Sequence, residues 1–361
     1  MRKYELTLSP DYIPTWTVTD AIREIYQNAI DEEQLDPENK VRTSYDGKSL
    51  LTISNTKSVL NTNTLLLGTS TKTENNQVIG QFGEGYKLAA LVLLRLGKTM
   101  EIHNLGNAEI WRPRFVNSKR FGSQILTFFI EDITDTPDIA APLLSFIISG
   151  ITPEEYEEIV NSNLHLQKPA ERRKTERGDI LTDPKYAGKV FVNGLLIHDN
   201  ADLRYGYDIK PQWLSINRDR RMVDQFDLLW CTSHMVATGI LPLADLLDSD
   251  KRDAIYAYAT VTTAIADSLY VAFIAKHGDN AVPVATHEEM LMVPKCYRPI
   301  IVSAAYLKVL RRSILYVAPE LDSDSILNKL NSWQKKANEH LPLSLQTQLT
   351  NIIAELEKFI K

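Results

Sequence analysis

The chain has 361 residues, 44% hydrophobic and 24% charged, which suits a soluble globular protein with a proper core and either two domains or one large domain with an appendage. Its formal charge of −6 argues against non-specific adhesion to nucleic acid or an anionic membrane, while leaving room for a local basic patch. No run approaches the roughly 18 apolar residues of a membrane span, and two cysteines without a CxxC or a His/Cys cluster exclude a zinc ribbon and a disulfide scaffold.

The N-terminus, MRKYELTLSP, alternates polar and apolar residues and reads as a strand, without the apolar core of a signal peptide. TWTVTDAIREIYQNAIDEE follows as a helix, opened by Thr17 with Asp20 three positions on, a short form of the capping box. VRTSYDGKSLLTISN is a hairpin, because Asp46-Gly47 is a strong turn signal between alternating runs. The Thr/Asn/Ser-rich stretch 56–79 predicts a short helical turn and then a mobile loop. A helix to about Arg95 follows, then strands near 99–104, 108–115 and 124–131. Thr152-Pro153 opens a short acidic helix, and AGKVFVNGLLI is a strand or a hairpin bent at Asn193-Gly194. From about residue 226 the apolar residues recur at three- and four-residue intervals in YAYATVTTAIADSLYVAFIAKHG, PIIVSAAYLKVLRRSILYV and LSLQTQLTNIIAELEKFIK, which predicts an all-helical C-terminal third.

Two features carry chemistry. On the first helix Glu24, Asn28 and Asp31 share one polar stripe, Asn28 about 40° from Glu24 and Asp31 about 20° on its other side, while Ile22, Ile25 and Ala29 fall on a different face that can seat the helix on a sheet. A carboxylate there can orient a water as general base, and an amide oxygen suits Mg²⁺. Taken alone, the stripe reads more simply as the solvated face of an amphipathic helix. The second feature is GQFGEGYKLAALVLLRLG, in which Gly80, Gly83 and Gly85 stand directly before an apolar helix. Glycines weaken a helix start by about 0.5–1 kcal/mol each, and a chain accepts that where a phosphate must approach the backbone.

The order E-x-x-x-N-x-x-D, hairpin, Ser/Thr-rich loop and G-x-F-G-x-G resembles the GHKL ATPases: gyrase B subunits, the heat-shock chaperones of the ninety-kilodalton class, sensor histidine kinases, MutL proteins and MORC proteins. The likeness covers roughly residues 15–97, with an outer bound near 200, and leaves the C-terminal third unexplained. It implies Glu24 as the general base, Asn28 as the Mg²⁺ ligand between protein and ATP phosphates, and Asp31 as support one turn further on. Gly80, Gly83 and Gly85 would open backbone N–H groups to the phosphates. Residues 67–78 would form a lid with Ser70, Thr71 and Lys72 as phosphate contacts. Lys87 is either a charge near the phosphates or a surface lysine.

One motif departs from the family. Its Asp-x-Gly-x-Gly, which receives the adenine amino group, is replaced by ISNTKSVLN, where Asn55 is the best positional match; an amide oxygen still accepts from an amine. In NRDRR, Arg218 or Arg220 is either a γ-phosphate contact from a transducer-like segment or a partner of Asp219 and Asp224. Residues 168–177 hold five basic residues against two acids and face nucleic acid, a partner or solvent. His287-Glu288, set in a loop-like stretch, is a poor match to a phosphoacceptor.

The expected architecture is therefore a GHKL-type two-layer α/β (α+β) sandwich with a mixed, mostly antiparallel sheet over residues 1–135. Residues 136–225 would complete the sheet or form a transducer-like unit, and 226–361 would be a helical domain. The expected activity is Mg²⁺-dependent ATP binding with slow hydrolysis, working as a conformational switch in a cytoplasmic homodimer that acts on a protein client. The alternatives are a nucleotide-binding regulatory module without turnover, or a nucleic-acid-handling clamp.

Overall fold

The computed structural model describes residues 1–66, 85–133, 142–168, 171–214, 224–318 and 323–360. They divide into two compact units, one formed by 1–201 and 205–227 and the other by 202–204 and 228–361. Each is α/β. Among the described residues no helix is long and apolar enough to cross a membrane.

The first unit is built on β1 (Arg2–Glu5), α1 (Val18–Leu35), β2 (Val41–Tyr45), β3 (Leu50–Asn55), α2 (Gly85–Arg95), β4 (Thr99–Asn104), β5 (Glu109–Ser118), β6 (Ser123–Asp132) and β7 (Leu144–Ser149). The seven strands form one sheet in the order β1-β6-β5-β4-β7-β3-β2, antiparallel at every step. Segment 136–225 thus does contribute to this sheet, since β7 lies between β4 and β3.

Period-two patterning makes the sheet one-sided. Leu51 and Ile53, Met100 and Ile102, Trp111, Phe128, Phe146 and Ile148 enter a common core with Ile22, Ile25 and Ala29 of α1 and Ala89, Leu91 and Val92 of α2. Residues of the intervening register are charged: Arg112 Nε donates to Glu101 Oε1 at 2.8 Å and its Nη1 pairs with Glu131, across β4, β5 and β6. The Arg112 guanidinium holds the Glu101 carboxyl below its usual range. The helices therefore cover one face and leave ion pairs on the other.

Local signals account for the element ends. Thr17 and Asp20 form the expected capping box on α1. Asp46 Oδ1 accepts from the N–H groups of Lys48, Ser49 and Leu50 and closes the β2–β3 loop, with Gly47 at φ 78°. The strand predicted over residues 1–10 is confined to Arg2–Glu5.

The rest of this unit holds α3 (Pro153–Asn161), β8 (Arg172–Thr175), β9 (Gly178–Leu181), β10 (Lys189–Val192), β11 (Leu195–Asp199) and β12 (Gly206–Ile209). The strands form a second sheet, β11-β10-β12-β9-β8, mixed because β10 and β12 run parallel. Its β10–β11 hairpin bends at Asn193-Gly194 (φ 49° and 77°), the residues singled out from the sequence.

The second unit contains α4 (Gln225–Val236), which starts at the boundary, then α5 (Leu243–Leu247), α6 (Thr263–His277), β13 (Ala281–Val284), α7 (His287–Met292), β14 (Arg298–Ile301), α8 (Ala304–Leu310), α9 (Ser323–Ala337) and α10 (Leu343–Ile360). It is largely helical but not all-helical: β13 and β14 form a parallel pair. The β-branched residues of AVPV and RPII favour extended backbone, and Pro283 and Pro299 are tolerable because a two-stranded pair has only edges. The predicted helix beginning at Pro299 therefore starts only at Ala304, behind a Ser303 cap. His287-Glu288 lies in the first turn of α7 rather than in a loop.

Phe128→Ala, which empties a fully buried position of the main core, is expected to destabilise the first unit by about 3–5 kcal/mol in chemical denaturation, against about 1 kcal/mol for the cap substitution Thr17→Ala. In the second sheet, burial raises the pKa of Asp208 although Gly194 N–H and Arg172 oppose the shift. Stability then falls as pH rises from the unfolded carboxylate range through the raised folded value. Asp208→Asn should flatten that part of the pH–stability curve measured by thermal melting.

Candidate functional site

The polar stripe of α1 is buried. Glu24 is 1% exposed and Asp31 0%, with Asp20, Arg23 and Gln27 also buried beside them and Asn28 half-buried. A solvated amphipathic face is thereby ruled out. Arg23 lies 3.5 Å from Asp20 Oδ1 and 3.7 Å from Glu24 Oε1, so the charges partly compensate one another. Asp20, Arg23, Glu24, Gln27 and Asp31 all make further polar contacts. The Asn28 side chain makes no hydrogen bond to another described residue.

The stripe meets the last glycine of the segment, Gly85, the first residue of α2. A Cβ on Gly85 would stand 3.0 Å from Glu24 Oε2 and 3.1 Å from Asn28 Nδ2. Both functional groups are thus within contact of the helix start, where backbone N–H groups lack helical partners and the dipole favours anions. Gly85 is a cradle that any side chain would fill. Its donor set is one carboxylate, one amide and backbone N–H groups, with the Asp31 carboxylate on the same stripe. The carboxylate oxygens and the amide oxygen are hard donors of the kind Mg²⁺ takes, and the N–H groups suit an anion instead.

Lys87, in the first turn of α2, is not a surface lysine: it is 0% exposed. Its Nζ donates to Thr64 O and Leu66 O, both at 2.7 Å, so it fastens the 3₁₀ turn Thr62–Leu65 to α2. Tyr86 adds a second tie, its hydroxyl 2.9 Å from Thr64 Oγ1, and burial raises its pKa.

Asn55, at the end of β3, is buried and donates from Nδ2 to Ala29 O at 3.0 Å. That bond brings it to the helix carrying Asn28 and uses its amide nitrogen, leaving the oxygen as the group that could accept from a base. Ser70, Thr71, Lys72, Gly80, Gly83, Arg218 and Arg220 lie outside the described residues.

Asp20, Arg23 and Gln27 are the stripe residues that the sequence reading passed over. Helical phase was the available signal for two of them, because Asp20 lies about 40° and Gln27 about 60° from Glu24. The Asp20 carboxylate was read only as a cap, and it serves as both cap and ion-pair partner of Arg23.

Among known proteins, residues 154–238 match a family described as the Mycoplasma pneumoniae MPN635 N-terminal domain. The match begins in α3, takes in the second sheet and ends just after α4. An uncharacterised protein of Mycoplasma pneumoniae (strain ATCC 29342 / M129 / Subtype 1) is 24% identical over 234 residues, which span 62% of this chain and 92% of the relative.

Proposed function

We propose that the first unit binds ATP with Mg²⁺ and hydrolyses it slowly, as a nucleotide-driven conformational switch of the GHKL kind. The finer fold assignment, a GHKL sandwich, belongs to the same proposal. The observation that carries it is the meeting of Glu24, Asn28 and the side-chain-free start of α2 at Gly85. Supporting it are the antiparallel sheet with α1 and α2 on one face and the buried polar stripe of α1 beside the start of α2.

In this reading Asn28 holds the metal, which when bound offsets phosphate charge, and Asp31 supports it from the same stripe. The N–H groups at the start of α2 receive the phosphates. Glu24 takes the proton from a water that attacks the γ-phosphorus, the bond from that phosphorus to the β-bridging oxygen breaks, and ADP and phosphate leave. Asn55 offers an amide oxygen to the adenine amino group. The nucleotide-bound form is a cytoplasmic homodimer acting on a protein client. A second reading, nucleotide binding with little turnover, is favoured by the missing Asp-x-Gly-x-Gly.

Calorimetry with ATP and Mg²⁺ should show binding, and absence of binding at millimolar nucleotide sinks both readings. Glu24→Gln should lower phosphate release by about 10²–10⁴-fold with ATP affinity kept; a wild type no faster than Glu24→Gln leaves only the second. Gly85→Ala should weaken ATP binding by about tenfold or more, although alanine is the better helix former by about 1 kcal/mol. Unchanged affinity in that variant would remove Gly85 from the site.

A further inference from the structure

The β8–β9 hairpin tip carries a cluster that the nucleotide reading does not use. The Arg177 guanidinium lies 4.3 Å over the ring of Trp213, in the 3₁₀ turn Pro211–Trp213 that follows β12. Trp213 keeps 36% of its surface exposed, while the next residue, Leu214, is buried and anchors the turn. Tip and turn are tied twice: Lys210 N–H donates to Arg177 O at 2.9 Å and Lys210 Nζ to Glu176 O at 2.7 Å. Within the tip, Thr175 Oγ1 donates to Gly178 O at 2.8 Å. Gly178, at φ 146°, presses so closely on β12 that a Cβ would stand 2.1 Å from Asp208 O. The stacked pair is therefore held rigidly by backbone.

The charges sort into two groups. Arg172 is occupied, 3.3 Å from both Asp179 and Asp208, and Arg173 pairs with Glu171 at 2.7 Å. Of the other cations, Arg177 stacks on Trp213, Lys210 is tied to the tip through Glu176 O, and Lys174 stands exposed on β8 three residues before Arg177, opposite Asp179 in register, with Glu176 a second acid at the tip. A flat aromatic and a flat guanidinium beside further cations match a chain that alternates flat bases with phosphates. An acidic peptide would use the cations but would have no need of the exposed indole. We propose that this platform binds single-stranded nucleic acid without sequence preference, a base stacking on the Trp213–Arg177 pair and Lys174 and Lys210 meeting the flanking phosphates. The overall charge of −6 opposes long-range attraction of a polyanion, so binding rests on local contacts. The site is independent of the nucleotide reading, and its test uses no ATP.

The test is fluorescence anisotropy of end-labelled oligothymidine and oligouridine of about 15 nucleotides, titrated with the full chain at about 50 mM salt. Binding of either strand supports the proposal, and the tighter of the two names DNA or RNA as the source. Trp213→Ala should weaken binding by about tenfold, Trp213→Phe should restore it to within about threefold, and Lys174→Ala should reduce the slope of log affinity against log salt by about 0.7. Melting temperature, followed in parallel, should be unchanged in Lys174→Ala and Trp213→Phe. No binding at low salt overturns the proposal, as does full affinity in Trp213→Ala. So does displacement of the oligonucleotide by oligoglutamate as readily as by unlabelled strand, which would mark an acidic-peptide surface instead.

Discussion

The first turn of α2 meets α1 through a residue with no side chain. A Cβ at residue 85 would stand 3.0 Å from Glu24 Oε2 and 3.1 Å from Asn28 Nδ2, so both side-chain ends would have to give way by a few tenths of an ångström. Two helices that shared only an apolar seam could sit anywhere along a sheet at comparable cost, since apolar contact is non-directional. Here the packing of Ile22, Ile25 and Ala29 against the sheet fixes the helix rotation, and that rotation turns the polar stripe toward Gly85. Core packing and candidate chemistry are therefore two faces of one helix, set by one phase angle.

Two groups beside this contact are bonded to backbone carbonyls. Lys87 reaches the carbonyls of Thr64 and Leu66, and Asn55 reaches the carbonyl of Ala29. Burying an ammonium costs several kcal/mol unless its donors are satisfied, so a lysine with no exposure must be well bonded. It also sits near the positive end of a helix dipole, which disfavours it further. Its carbonyl partners thus fix where the 3₁₀ turn stands relative to α2. Arg23 does similar work inside α1, lying between the carboxylates of Asp20 and Glu24.

Much of this was legible in the sequence, and what was missed has physical causes. The capping box at Thr17 and Asp20, the turn at Asp46-Gly47, the hairpin at Asn193-Gly194 and the start of α3 all rest on local chemistry that acts within four residues. The meeting of stripe and glycine turn was inferred from a family's motif order, and helical phase supports half of it. The burial of Asp31 and Lys87 was not legible, because exposure depends on what other elements cover. The β13–β14 pair was lost for a related reason: Pro299-Ile300-Ile301 reads as the apolar start of α8, and only a parallel partner across a helix distinguishes it. The Trp213–Arg177 stack joins residues 36 positions apart and depends on the second sheet.

The placement of β7 has a consequence for how this chain comes to be folded at all. Leu144–Ser149 hydrogen-bonds to β4 on one side and to β3 on the other, so two ribbons laid down much earlier are joined by a strand that arrives last. On the ribosome, both ribbons wait with inner edges bare until residue 149 has emerged, and such bare edges recruit strangers. A fragment ending near residue 135 would contain every member of the Glu24–Gly85 contact and still lack the plank that makes the two ribbons a single floor beneath it.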